Sequence, residues 1–189
     1  MLTELRLNLL NREASSEKNK PYMILNHLKI RKKMVIGDIG SGGGYFAGEF
    51  SKRTGDNGLV YAIDVKQDYL DYIRVKSEKE GIKNLKTILA ANDHINLPKN
   101  SVDLFFLRNV FHHLPEPVDY FKKLKHLLKQ NGQIAIIDFK NKKLNLMGLL
   151  GHFTPYNKLL EIMNQAGFYP TSSYDFLDDQ LFVKFNKKI

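Results

Sequence analysis

The sequence predicts an α/β fold built on a doubly wound, mainly parallel sheet. Three observations point there. Short apolar runs of strand length alternate with longer stretches of helical periodicity, the signature of successive βαβ units. The first such run, Met34–Ile39, empties into a cluster of glycines that opens a helix. The chain then closes on two strand-like runs, a hairpin-like pair that brings the strand count to seven.

In order along the chain, Met34–Ile39 is a buried strand ending in Asp and Gly. Tyr45–Thr54 reads as a helix stopped by Gly55 and Asn57–Gly58. Leu59–Ile63 is the second strand, followed by a helix over Gln67–Glu80 that Gly81 terminates. Leu85–Leu89 and Val102–Leu107 are the third and fourth strands. After Pro115 and Pro117 a helix runs to Gly132, a glycine placed as a left-handed C-cap, and Gln133–Asp138 is the fifth strand. Thr154 caps a helix with Pro155 at its first position, and Gly167 ends it. Phe168–Tyr174 and Gln180–Phe185 are the closing pair, separated by Asp178–Asp179. In sheets of this kind ligand space lies beyond the strand C-termini.

With 189 residues, the chain is expected to form one domain spanning 1–189. Its 43% hydrophobic and 26% charged residues exclude disordered and fibrous classes. Cysteine is absent, which excludes disulfide scaffolds, thiolate metal sites and cysteine nucleophiles, and fits a reducing cytoplasm. No apolar run approaches the roughly 18 residues of a membrane span, and the opening segment lacks a signal-peptide core. A cytoplasmic protein without a membrane partner is therefore expected. Lys and Arg number 29 against 20 Asp and Glu, a net charge of +9 that favours acidic partners. Lys122, Lys123, Lys125 and Lys129 share one predicted helix with Val118, Phe121, Leu124 and Leu128 on its apolar face. They read as the solvated side of an amphipathic helix, because no stacking aromatics or arginine cluster accompany them as on a nucleic-acid surface.

The chemistry concentrates where the first strand meets Asp38-Ile39-Gly40-Ser41-Gly42-Gly43-Gly44-Tyr45. Glycines there permit positive φ and let a ligand approach the backbone, and amides at the helix start offer partial positive charge. A phosphate P-loop would need Lys and then Ser or Thr after its last glycine; Gly43 to Gly48 is followed instead by Glu49 and Phe50. A dinucleotide fingerprint would need glycine where Tyr45 stands. Asp38 would repel a pyrophosphate and attract an ammonium group. Asp64, about 20 residues beyond the loop at the end of the second strand, can accept hydrogen bonds from both hydroxyls of a ribose. Each carboxylate also has a structural alternative: a loop amide for Asp38, a helix cap for Asp64.

The ordered set resembles the class I S-adenosylmethionine-dependent methyltransferases over roughly Lys20 to Ile189. Its carriers are Asp38-x-Gly40-x-Gly42-x-Gly44, Val60-Tyr61-Ala62-Ile63-Asp64, Ala91-Asn92-Asp93-His94 with Leu97-Pro98, and Asp103-Leu104-Phe105-Phe106, then Asn109 through Leu114 and the Lys129–Asp138 segment. The flavour is similar to the ubiquinone/menaquinone-biosynthesis and arsenite branches, the latter excluded as an activity by the missing cysteines. The resemblance implies a Rossmann-like, seven-stranded sheet ordered 3-2-1-4-5-7-6 with strand seven antiparallel, and S-adenosylmethionine (AdoMet) as cofactor. It places Gly40, Ser41, Gly42, Gly44 and Tyr45 at the methionine moiety, with Asp38 near its ammonium group. Asp64 falls on the ribose and Val65 on the adenine face. Asn92, Asp93 and His94 lie around the adenine amino group, and Arg108 and Asn109 at the sulfonium end. The short stretch from Phe139 to Thr154 leaves the N-terminal arm, Met1 to about Pro21, as a partial lid or a helix packed on the sheet edge. Leu2, Leu5 and Leu9 form its apolar stripe.

Acid–base candidates are His112 and His113, whose first reading is pocket lining; adjacent histidines cannot share a helix face, and no metal site is expected. The expected acceptor is a small molecule. A nucleic-acid methyltransferase or binding module, and a nicotinamide-dependent oxidoreductase, are the alternatives. The sequence is silent on oligomeric state.

Overall fold

The computed structural model describes residues 2–90, 94–140 and 153–188. Its seven strands follow the order β3-β2-β1-β4-β5-β7-β6, the order the resemblance implies. The chain divides into two compact units, Met1–Asn96 and Leu97–Ile189, described in turn.

In the first unit, helices α1 (Leu2–Ser15) and α2 (Pro21–Leu28) precede β1 (Val35–Ile39). Helix α3 (Tyr45–Thr54), β2 (Leu59–Asp64), α4 (Gln67–Lys79) and β3 (Leu85–Leu89) follow. β1 pairs in parallel with β2, and β2 with β3. The helices form because their apolar residues recur at helical spacing: Phe46, Ala47, Phe50 and Thr54 bury one face of α3, and Tyr69, Leu70, Ile73 and Ser77 one face of α4. Gly55 and Gly81 stop them with φ of 67° and 66°. Ile36, Val60, Ala62 and Ile63 are fully enclosed, as strands covered on both faces require.

The second unit holds β4 (Val102–Arg108), α5 (Pro117–Leu127), β5 (Leu128–Phe139), α6 (Tyr156–Gln165), β6 (Phe168–Tyr174) and β7 (Gln180–Lys187). β4 and β5 are parallel, while β7 pairs antiparallel with both β5 and β6. Two expectations fail here. Gly132 does not end a helix: α5 stops at Leu127, and Gly132 lies within β5, outside the left-handed region. Leu128, read as helix core, is the enclosed first residue of that strand. Lys129 consequently leaves the helical stripe and donates to Asp103 Oδ2 at 2.7 Å. Thr154 likewise does not cap α6, whose N-cap is Pro155. Among the described residues no helix is long and apolar enough to cross a membrane.

Candidate functional site

Polar side chains gather at the carboxyl ends of the strands in each unit. In the first, the glycine loop turns on three left-handed residues, Gly40 (φ 69°), Gly42 (54°) and Gly44 (79°). The N–H groups of Gly40 and Ser41 donate to Ile63 O at 2.8 and 3.2 Å, and Gly44 N–H to Ser41 O at 2.8 Å. Ser41 Oγ adds a 3.3 Å bond to the same Ile63 carbonyl, and Gly42 N–H donates to Asp64 Oδ2 at 3.1 Å. The amides of Gly40, Ser41 and Gly42 are thus engaged by the end of β2, and that of Gly44 by Ser41. A phosphate cradle needs such amides aimed outward, so these four are not offered to a pyrophosphate.

Asp38 is buried at the end of β1 and accepts the backbone N–H of Ala47, in the first turn of α3. Gly44, the N-cap, has no side chain to do this, so the carboxylate caps the helix from a distance. Burial, reinforced by the charge of Asp64 and opposed by the Ala47 N–H, pushes the Asp38 carboxyl up to about 7. Asp64 is raised as well, chiefly by burial, against the pull of the Gly42, Lys66 and Val65 amides. Its Oδ1 accepts Lys66 N–H at 3.2 Å in the turn entering α4, so both roles weighed for Asp64 coexist geometrically. A ligand fits this pair if it brings a cation to Asp38 and hydroxyl donors to Asp64.

The remaining predicted positions are dispersed. Tyr45 begins α3 with its ring 5.2 Å from Phe46, edge to face, and burial followed by Glu49 raises its hydroxyl. Val65 presents an apolar side chain that is 70% exposed beyond β2. His94 is exposed. Asn92 and Asp93 lie outside the described residues.

The N-terminal arm meets the loop directly. Asn11 Nδ2 donates to Gly43 O at 2.8 Å. Leu7 is wholly enclosed, while the stripe expected to pack, Leu2, Leu5 and Leu9, faces outward, Leu2 at 83% exposure. Tyr72 OH donates to Asn8 Oδ1 at 2.7 Å, and Thr3 Oγ1 to Asp68 Oδ2 at 3.1 Å, fastening α1 to α4. Leu7 and Asn11 were legible as a pair four residues apart, with Ala14 three further on; the more numerous leucines obscured them.

In the second unit Arg108 ends β4, and Asn109 follows with a left-handed φ of 58°, a conformation asparagine tolerates. Asn109 N–H donates to Ile137 O at 2.8 Å, and its side-chain oxygen accepts from Gln180. The turn after it, Phe111–His113, carries His112 to Asp138, the enclosed carboxylate near the end of β5. His112 Nδ1 lies 2.7 Å from Asp138 Oδ1, and His112 N–H donates to Oδ2 at 3.0 Å. Thr154 Oγ1 donates to Oδ2 at 2.8 Å and Phe139 N–H to Oδ1 at 2.9 Å. The supposed helix cap thus serves a carboxylate instead, and its N–H bonds Phe139 O. His113 packs on His112 at 4.0 Å between ring centroids but is exposed. Asp138 was missed as a site residue.

Comparison with known proteins gives the family. A family model described as a methyltransferase domain matches residues 30–167. A solved SAM-dependent methyltransferase from Aquifex aeolicus is 28% identical, superposes with a TM-score of 0.84, and matches over 95% of this chain and 96% of its own. The ubiquinone/menaquinone biosynthesis C-methyltransferase UbiE of Haemophilus ducreyi is 22% identical over 70% of this chain and 52% of its own length. The protein-L-isoaspartate O-methyltransferase of Methanococcoides burtonii is 31% identical over 58% and 51%. The chain therefore spans about half the length of these two curated relatives.

Proposed function

Since the chain belongs to the class I AdoMet-dependent methyltransferase family, we propose that its methyl acceptor is a small molecule. AdoMet supplies a methyl group on a sulfonium, whose transfer releases a neutral thioether. Asp38, Asp64 and the turn from Gly40 to Gly44 are the residues of the first unit that would hold it: a buried carboxylate for its ammonium group, a second for its ribose, and the glycine-rich turn beside them. The observation that carries the donor reading is the pair of buried strand-end carboxylates, one of which is joined to the glycine turn through the Gly42 amide. The buried Asp38 also argues against the oxidoreductase alternative, since once ionised it would repel a dinucleotide's pyrophosphate.

The small-molecule acceptor is supported by where the cations go. Lys52 and Arg53 pair with Glu49, Arg74 with Asp71, Lys122 with Asp119 and Lys129 with Asp103, so these five cations sit beside carboxylates rather than forming a basic stripe. The activity of the Haemophilus relative, C-methylation in ubiquinone/menaquinone biosynthesis, supports the same reading. One relative favours the other: a tRNA U34 carboxymethyltransferase of Desulfotalea psychrophila is 26% identical over 58% of this chain. Thermal melts separate the readings. AdoMet at 100 times its dissociation constant is expected to stabilise the protein by roughly 2.7 kcal/mol and NAD by nothing. RNA binding is expected to vanish at physiological salt. Tight RNA binding at that salt would replace the small-molecule reading.

Asp38 makes donor binding pH-dependent. Its folded pKa, about 7, lies above the ordinary 3.8, so the ligand-free fold holds a proton that the unfolded chain has lost between those values. That stabilisation is complete below the ordinary value and lost as pH rises through about 7; Asp64, also raised, acts in the same sense. A cationic ligand needs the ionised carboxylate and must displace the proton. Affinity for S-adenosylhomocysteine (AdoHcy), which keeps the ammonium group, is therefore expected to fall about tenfold from pH 8 to pH 6. The Asp38→Asn variant should bind weakly with no such slope. Calorimetry at both pH values checks this, and a slope surviving in Asp38→Asn would assign it elsewhere.

A further inference from the structure

We propose that the outer edge of β3 pairs with β3 of a second copy of this chain, antiparallel about a two-fold axis at Thr87, so that two copies share one continuous sheet. β3 ends the strand order and, among the described residues, pairs with β2 alone. Val60 N–H donates to Asn84 O, and Ala90 N–H to Asp64 O. In a parallel ladder alternate residues turn both N–H and C=O to the same neighbour. Asn84, Lys86, Ile88 and Ala90 therefore face β2, while Leu85, Thr87 and Leu89 aim their backbone groups away from it.

Native sheets guard such edges with proline, bulges or charge. β6, at the other end of the strand order, is guarded: Pro170 interrupts it, its register shifts between Pro170 and Ser172, and Thr171, Ser172 and Ser173 are polar. β3 has neither proline nor bulge. Its residues, Leu-Lys-Thr-Ile-Leu, include β-branched and apolar side chains that suit a pleated surface. None of them is buried, and Leu89 is 46% exposed. Lys86 is the single charge on this strand.

The edge is complementary to itself, which selects a second copy over an unrelated strand. Backbone bonds can form only between outward-facing residues, so Leu85, Thr87 and Leu89 must meet one another. Centred on Thr87, the pairing sets Leu85 against Leu89 of the second copy and Thr87 against its own counterpart, each pair exchanging two hydrogen bonds. It uses all three outward residues of both copies. Their side chains share one face and form a ladder of leucine pairs around a threonine pair. Leu85 lines a cavity with Ile73 and Ser77 of α4, so this is the face that α4 covers. On the opposite face Lys86 meets Ile88. A shift that centred the pair on Lys86 would set lysine against lysine, a destabilising contact. Residues 34–96, which include β3, carry eight Lys and Arg against nine Asp and Glu, so the chain's +9 is not concentrated in this segment.

The test uses the full chain, with size-exclusion chromatography and light scattering at about 100 μM, where a micromolar contact is well populated. The expected mass is twice 21.8 kDa. Thr87→Pro is expected to keep the fold, because the Thr87 N–H does not serve β2, and to give the monomer mass by removing a donor at the axis. Circular dichroism is the folding control. The chain has no cysteine, so Thr87→Cys supplies a single thiol, which meets its own copy at a Cα separation of about 5.5 Å. A short bismaleimide is expected to join two chains of this variant and not to join Lys122→Cys, whose position is exposed on α5. The proposal is overturned by a parent of monomer mass, by a folded Thr87→Pro protein that stays dimeric, or by Thr87→Cys cross-linking no more than Lys122→Cys. If Thr87→Pro does not fold, the cross-link decides.

Discussion

Asp64→Ala protein is expected to bind AdoHcy about 10- to 1,000-fold more weakly than the parent. A carboxylate accepting two ribose hydroxyls makes two charge-assisted bonds, each worth roughly 1.5–3 kcal/mol where water is excluded. The lower end applies if water takes the carboxylate's place. The structure adds a second contribution: Asp64 also accepts Gly42 N–H and Lys66 N–H. Removing the carboxylate frees the glycine turn from the end of β2 as well as deleting the ribose acceptor. Asp64→Asn separates the two in part. Its single carbonyl can serve Gly42 or Lys66 but not both, while the loss of charge weakens the ribose bonds; a milder effect than alanine is expected. Calorimetric titration measures both variants, with circular dichroism as the folding control. A folded Asp64→Ala protein with the parent's affinity would leave Asp64 as a brace for the Gly42 turn and the entry to α4.

The order of elements was legible because local signals and burial agree. Tyr45–Thr54, Leu85–Leu89 and Phe168–Tyr174 begin and end where periodicity and stop residues place them. Gly132 misled because a glycine after a helical pattern resembles a C-cap, whereas Leu128, fully buried at the start of β5, carries the chain into the sheet before the glycine is reached. Thr154 misled similarly: the local preference of threonine before proline predicts a cap, and a buried carboxylate far along the chain outbids it.

The site was half legible for the same reason. Asp38 was found because a carboxylate ending a buried strand demands a partner, and Asp64 because it ends the second strand about 20 residues beyond the glycine loop. Asp138, near the end of β5, satisfies the same rule, but its partners His112 and Thr154 are distant in sequence. Pairings of that kind depend on strand register, which periodicity does not encode. The engagement of the Gly40, Ser41 and Gly42 amides is equally non-local, since it requires the end of β2 to lie beside the loop.

Gly43→Ala is expected to unseat the N-terminal helix. Gly43 is the member of the loop whose glycine is required by backbone contact: its φ is not left-handed, but a Cβ there would clash with Asn11 Oδ1 and lie 2.6 Å from Leu7 O. The asparagine side chain can rotate away. The Leu7 carbonyl belongs to the backbone of α1, so relief requires the helix itself to move. Movement costs the bond from Asn11 Nδ2 to Gly43 O and strains the enclosed Leu7 out of its seat. Overpacking of this kind typically costs about 1–3 kcal/mol, and for a chain of this size each kcal/mol lowers Tm by about 2–4 °C. Hydrogen exchange over residues 2–15 should rise at the same time, while β4 to β7 keep their protection. Asn11→Ala alone should cost less, about the 0.5–1.5 kcal/mol of one hydrogen bond. Adding Asn11→Ala to Gly43→Ala should not restore the parent's Tm, because the clash with the Leu7 carbonyl persists. A Gly43→Ala protein with the parent's Tm and unchanged exchange over residues 2–15 would mean that α1 does not rest on the glycine loop in solution.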